Sequence, residues 1–177
     1  QELDRVSTQA RHDPLTGSLN RKGLDEVIER EIARAQRTET PLCVSLLDVD
    51  NFKQINDLYG HLAGDAVLRE VADRLIRAVP EQAIIGRWGG EEFILLFERI
   101  SLSDAKIVAE RVRNALADQP VRFESATIPI SSSIGLAINH HLDTHVIDTL
   151  LAAAETARTH AQHMGRNRVE MAGGGSH

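Results

Sequence analysis

Ala83-Ile84-Ile85-Gly86-Arg87-Trp88-Gly89-Gly90-Glu91-Glu92-Phe93-Ile94-Leu95-Leu96-Phe97 is the stretch whose reading decides the fold. Two short apolar runs flank adjacent glycines, the pattern of a β-hairpin in which the glycines are expected to supply positive φ values. A hairpin has no structural use for Glu91 and Glu92 side by side, because adjacent like charges repel. Glycines without Cβ atoms open the backbone to a large ligand, and carboxylates there suit a metal ion or a proton transfer. The competing reading is an exposed turn with solvated acids. This stretch alone leaves both open.

Working outward, Leu42-Cys43-Val44-Ser45-Leu46-Leu47 runs apolar into Asp48-Val49-Asp50. Such a short, nearly continuous run reads as a strand buried on both faces, and the Asp48–Asp50 spacing puts both carboxylates on one side of it. Between the strand and the hairpin come a short helix over residues 51–58, a break at Tyr59-Gly60-His61, and an amphipathic helix over 64–79. That helix turns Val67, Leu68, Val71, Leu75 and Ile76 inward, and Pro80 ends it. Upstream, Asp13-Pro14-Leu15-Thr16-Gly17 is a turn. Asn20 caps a helix over 21–37 with Leu24, Val27, Ile28, Ile32 and Ala35 on one stripe.

Downstream, Ser103 is expected to cap a helix over 104–118 with Ile107, Val108, Val112 and Leu116 inward. Strands are read over 123–124 and 128–138. A last helix, over 146–164, is capped by Asp143 or Thr144 and closed by Gly165. Arg168-Val169-Glu170 adds a short edge strand. The pattern predicts an α/β (α+β) sandwich: a mixed sheet of about five strands, flanked by helices, in a ferredoxin-like or polymerase-palm arrangement.

The 177 residues suit one domain with a real core, and 42% hydrophobic with 26% charged is ordinary for a soluble globular chain. With only 3% aromatics, that core must be Leu, Ile, Val and Ala. A net charge of −6 with no dense basic patch excludes a surface for duplex nucleic acid. The lone Cys43 cannot close an intramolecular disulfide, which fits a reducing, cytoplasmic location. No run reaches the about 18 apolar residues of a membrane span. Gln1 at the start reads as a fragment of a longer protein. Residues 1–12 read as a linker helix arriving from an upstream region, 13–170 as the domain and 171–177 as a flexible tail.

Asp48, Asp50, Glu91 and Glu92 are expected to converge at one sheet edge as a hard-oxygen site for Mg²⁺ or Mn²⁺. The amides of Asn51, Phe52 and Lys53 open a helix just after Asp50, and such an N-terminus takes phosphate. Arg166 and Lys53 offer charge for a triphosphate. Asn56 and Asp65 flank a break and suit the edge of a polar heterocycle, an Asp acceptor favouring guanine. Asp50 and Lys53 each keep a structural alternative, and Arg87 a choice between phosphate and bracing the first turn. Trp88 reads as packing and His61 as loop support. His140, His141, His145, His160 and His163 show no metal spacing and read as solvated.

These motifs resemble the GGDEF family of diguanylate cyclases. Gly89-Gly90-Glu91-Glu92-Phe93 is similar to its signature in the GG-E-E-F form. Asp13-Pro14-Leu15-Thr16-Gly17, Asn20-Arg21, Asp48-Val49-Asp50-Asn51-Phe52-Lys53, Asn56-Asp57, Tyr59-Gly60-His61, Gly64-Asp65, Ser133-Ile134-Gly135 and Gly165-Arg166-Asn167-Arg168 match in the same order. The resemblance implies a nucleotidyl-cyclase-like palm that binds one GTP and meets a second copy face to face in a transient homodimer. Each 3′-hydroxyl then attacks the other's α-phosphate, giving cyclic di-GMP and two pyrophosphates. It implies two Mg²⁺ or Mn²⁺ ions per site, with Asp48, Glu91 and the Val49 carbonyl as ligands and Glu92 as the other essential acid. Asn56 and Asp65 would read guanine. Asn51, Phe52, Lys53 and Arg166 would hold phosphates, and Gly89 and Gly90 would let substrate approach. Residues 13–21 would couple an upstream sensory or membrane domain. The alternative is an inactive GTP-binding regulatory domain.

Two departures stand out. The usual lysine of A-K-x-x-G-R is Gln162, in Ala161-Gln162-His163-Met164-Gly165-Arg166, and the usual Leu-Tyr upstream is Arg158-Thr159. Arg158 either compensates for the lost lysine or is a solvated charge. The family's inhibitory R-x-x-D aligns with Pro80-Glu81-Gln82-Ala83, so no inhibitory product site is expected.

Overall fold

The structure, a computed structural model, describes residues 10–139 and 146–172. The linker helix proposed for 1–12 (apart from its last three residues), the caps Asp143 and Thr144, residues His140, His141 and His145, and the tail beyond 172 lie outside the described residues.

The chain runs α1 (Arg21–Thr38), β1 (Leu42–Val49), α2 (Phe52–Tyr59), α3 (His61–Ala78), β2 (Ile84–Arg87), β3 (Glu92–Glu98), α4 (Leu102–Asp118), β4 (Val121–Phe123), β5 (Ala126–Ile128), β6 (Ser132–Asn139), α5 (Val146–His163) and β7 (Arg168–Met171). The five-stranded sheet has the order β2-β3-β1-β6-β7. β1 is central, antiparallel to β3 and β6, and β7 joins β6 in parallel, so the sheet is mixed.

All eight residues of β1 are buried because helices cover both faces of the sheet. Strand alternation divides them. Cys43, Leu47 and Val49 face a layer built by α3 and α4 through Val67, Val71, Leu75, Val108 and Val112. Leu42, Val44 and Leu46 face the opposite layer, where Leu24 and Ile28 of α1 and Val146, Leu150 and Ala154 of α5 close over them. Asp48 continues this second set and therefore rises toward α5. Cys43 is buried and free, and burial pushes its thiol up to about 12, so it serves as a small core residue.

Several expectations need correction. The cap of α4 is Ser101, whose Oγ accepts from the Asp104 amide, and not Ser103. Ile76 and Ile107 are 60% and 62% exposed, at the outer margins of their helical stripes rather than in the core. The strand expected over 128–138 is two: β5 pairs with β4 in a separate hairpin, and β6 starts only at Ser132. Pro129, with no N–H to give a ladder, stands at the interruption.

The β2–β3 hairpin closes as expected, with the Trp88 amide donating to the Glu92 carbonyl at 2.7 Å. Its glycines do not supply positive φ, however. Among described glycines only Gly17, Gly60 and Gly165 have it. A Cβ on Gly89 would stand 2.7 Å from Glu92 Oε1, and one on Gly90 would meet nothing within 4 Å. Gly89 is needed so that the Glu92 carboxylate can lie over the turn, and Gly90 leaves open space beside it.

Candidate active site

Two strand ends build the acidic corner. Asp48, next to last in β1, stands opposite Glu92, the first residue of β3, and the Val49 amide donates to the Glu91 carbonyl at 3.2 Å. The three carboxylate-bearing residues are thus neighbours through sheet register, although Asp48 is over forty positions from Glu91 and Glu92 in sequence. Asp48 is 7% exposed. Its Oδ2 accepts from Arg158 Nη1 at 2.6 Å and from Gln162 Nε2 at 3.0 Å. Its Oδ1 is buried without a donor among the described residues.

Burial, with the charges of Glu91 and Glu92 added, pushes the Asp48 carboxyl up to about 7 against the pull of Arg158 and Gln162. Burial also raises Glu92, helped by Glu155 and Glu91 and opposed by Arg158. Bringing like charges together at a half-desolvated edge costs free energy, and a hard cation would recover it. The donor set fits such an ion: carboxylate oxygens, one of them orphaned, and the nearby backbone of Val49. Among the described residues no three His, Cys, Asp or Glu side chains close on one point as a ready-made cage.

Asp50 has another task. Its carboxylate accepts from Ser131 Oγ and Ser133 Oγ, both at 2.6 Å, and from the Asn167 amide at 3.0 Å. Those donors fill it, so Asp50 ties the end of β1 to β6 and to the turn after α5. Arg87 likewise braces: it reaches Asp13 at 3.1 Å and the Gly90 carbonyl at 2.7 Å, joining the first turn to the hairpin loop. Trp88 packs under Arg21, whose guanidinium lies 3.4 Å from the ring centroid.

Asn51 adopts a left-handed conformation, φ 56°, and turns the chain from β1 into α2 without capping the helix by its side chain. Lys53 and Arg166 are exposed at the two sides of this region and make no side-chain ion pair among the described residues. Arg166 has φ 63° in the turn after α5. Asn56, in the last turn of α2, and Asp65, the fifth residue of α3, are half-buried either side of Gly60. A Cβ on Gly64 would collide with Asn56 Oδ1, which is buried and lacks a donor among the described residues. That orphan acceptor is the structural mark of a missing polar partner.

The sequence reading missed the burial of Arg158. Helical periodicity places it on the apolar stripe of α5 with Ala154, Ala157 and Ala161, and that is the signal that could have found it. His160 and His163 are exposed, as expected.

The family model described as "Diguanylate cyclase, GGDEF domain" matches residues 10–168. The chain belongs to the GGDEF family. The GGDEF domain is 38% identical over 170 residues to the diguanylate cyclase DgcP of Pseudomonas aeruginosa, covering 96% of this chain and 25% of that protein. It is 40% identical over 161 residues to the diguanylate cyclase DosC of Escherichia coli, covering 90% of this chain and 34% of that one. The chain therefore spans about a quarter to a third of the length of these relatives. Among solved structures it is similar to the coiled coil and GGDEF domain of DgcB from Caulobacter crescentus in complex with c-di-GMP. That match has a TM-score of 0.90 and 30% identity, over 97% of this chain and 90% of the other. The active GGEEF domain of a diguanylate cyclase from Vibrio cholerae superposes with a TM-score of 0.79 at 35% identity, over 86% and 96% of the two chains. No helix among the described residues is long and apolar enough to cross a membrane.

Proposed function

We propose that this GGDEF domain is a diguanylate cyclase whose acidic corner is half of an active site completed by a second copy. The observation that carries the reading is the register pairing of Asp48 with Glu92, beside Glu91, with one Asp48 oxygen left without a donor. Asp48, Glu91 and the Val49 carbonyl would hold two Mg²⁺ or Mn²⁺ ions. When bound, these supply the positive charge that stabilises a reacting phosphate.

The chain's own groups do the rest. The amides following Asn51, with Lys53 and Arg166, hold the β- and γ-phosphates of GTP. Asn56 Oδ1 and Asp65 accept from the N–H groups of guanine, which satisfies the orphan acceptor. Gly90 leaves room for the nucleotide beside the turn, and Gly89 leaves room for the Glu92 carboxylate over it. Glu92, its carboxyl raised above the usual carboxylate range by burial, takes the proton of the 3′-hydroxyl of the attacking GTP. That oxygen bonds to the α-phosphorus of the GTP on the facing copy and pyrophosphate leaves. The reciprocal attack closes the ring of cyclic di-GMP. GTP as substrate places the domain on the cytoplasmic side, and the Asp13–Arg87–Gly90 brace is a route by which an upstream region reaches the acids. Pro80 to Ala83 carry no R-x-x-D, so product does not inhibit through that segment.

One observation favours the alternative of an inactive GTP-binding domain: Arg158 sits where a cation would serve Asp48. Incubating dimerised protein with GTP and Mg²⁺, and identifying the product, separates the two. Cyclic di-GMP formed by the parent and lost by at least about 10²-fold in Glu92→Gln supports the cyclase. GTP that binds but returns unchanged sinks it.

A further inference from the structure

Arg158 is 8% exposed, an unusual burial for arginine, and its surroundings are acidic rather than apolar. Nη1 donates to Asp48 Oδ2 at 2.6 Å, Nη2 lies 3.6 Å from Glu92 Oε2 and pairs with Glu155 of its own helix. Gln162, one turn further along α5, donates to the same Asp48 oxygen. The placement is built into the fold. Gly135 of β6 has no Cβ, and one there would overlap the Ala154 carbonyl and the Arg158 amide, so α5 lies directly against the sheet. The guanidinium is held from that helix, over the two carboxylates that register brings together.

A carboxylate oxygen that accepts from a guanidinium at 2.6 Å is not free to bind a divalent ion at full strength. The Arg158 charge performs for Asp48 and Glu92 what a metal would: it offsets two acids that otherwise repel at a partly desolvated edge. Its fork is incompletely satisfied, since Nε is buried without an acceptor among the described residues, and this lowers the cost of leaving. Glu155, with a side chain 46% exposed, stands at the outer end as the partner that can retain it.

We propose that Arg158 is a resident counter-cation of the metal site, positioned by α5 and steadied by Glu155. It holds Asp48 and Glu92 while no divalent ion is present and yields Asp48 when one binds. Gln162 follows the same oxygen. The consequence is a domain whose divalent affinity is set by an internal competitor, and which keeps its acidic corner folded without metal. This rests on the reading of Asp48 as a metal ligand.

The test is direct Mn²⁺ titration of the nucleotide-free domain by electron paramagnetic resonance, with melting temperatures taken in chelator and in Mn²⁺. Arg158→Met is expected to bind Mn²⁺ about tenfold more tightly than the parent, the loss of one competing charge partner. It should also melt lower in chelator and regain the difference with Mn²⁺. Glu155→Gln, at a half-exposed position, should weaken Mn²⁺ binding, because the guanidinium then bears on Asp48 and Glu92 alone. Unchanged or weaker binding by folded Arg158→Met overturns the proposal. Should that variant not fold, unchanged or tighter binding by Glu155→Gln does so. Asp48→Asn distinguishes the two layers of the argument. Mn²⁺ binding retained there overturns the site reading, and the proposal with it. Binding lost there, with Arg158→Met no tighter than the parent, overturns the proposal alone.

Discussion

Asp48 and Asp50 are two residues apart, of the same type, and nearly equally buried, yet they do different things because of what reaches them. Asp50 meets two hydroxyls and a backbone amide, which saturate it. Asp48 meets a guanidinium and an amide on one oxygen only. Asp50→Ala removes three accepted hydrogen bonds at once and leaves their donors unpaired. The unfolding free energy should fall by about 3 kcal/mol or more. Chemical denaturation with urea checks this, and Mn²⁺ titration of the folded fraction should show affinity within about a factor of two of the parent, well under 1 kcal/mol. A stability loss near zero would mean that Asp50 is not the clamp described.

Among the elements, α1 and α5 share one face of the sheet and meet charge at both ends of it. At one end α5 sets Arg158 on Asp48. At the other, Glu31 of α1 faces Glu98, the last residue of β3, and each leaves a buried oxygen without a donor among the described residues. A proton held between the two carboxyls would satisfy both oxygens. Burial, with the Glu31 hydrogen bond and charge behind it, raises Glu98 from 4.5 to about 7, against Arg34 and Arg99. The folded state therefore binds this proton more tightly than the unfolded chain. The stability it contributes is present in acid and is lost as pH rises from 4.5 through about 7. Between pH values on either side of that window, the parent should lose on the order of 1 kcal/mol, screening by water included, and Glu98→Gln should abolish most of the difference. Thermal melts in chelator across that pH range, with and without the substitution, measure it. A parallel pH slope in both proteins would show that the pair holds no proton.

At the scale of the whole molecule, the acidic corner lies at one end of the sheet, and a Cβ on Gly90 beside it would meet nothing within 4 Å. If the corner is half of an active site, as proposed, activity becomes a property of encounters between copies. At dilute concentration the rate should rise with nearly the square of protein concentration, and fusing the domain to a dimeric coiled coil should restore proportionality. Strict proportionality in the unfused domain would count against half-sites. Added cyclic di-GMP should leave the fused protein's rate unchanged, since Pro80 to Ala83 supply no arginine or aspartate to bind it.

What the sequence by itself determined was the sheet class, most of the elements and the candidates for the site. Periodicity is a local property, so β1, the hairpin, the long helices and the five-stranded mixed sheet were legible from hydrophobic spacing and from Gly and Pro. The ordered motifs likewise named Asp48, Glu91, Glu92, Asn56 and Asp65 before any coordinates. Tertiary structure alone decided the partners. That Asp48 faces Glu92 depends on strand register, that Asp50 is spent on Ser131, Ser133 and Asn167 depends on where β6 begins, and the need for a glycine at 89 depends on where Glu92 lies. Arg158 shows the reason most plainly. From sequence it was a substitution of uncertain weight, since a charge on a helix is solvated by default. Whether it meets water or carboxylates is settled by how closely α5 packs on Gly135, a contact between residues that only the folded chain brings together.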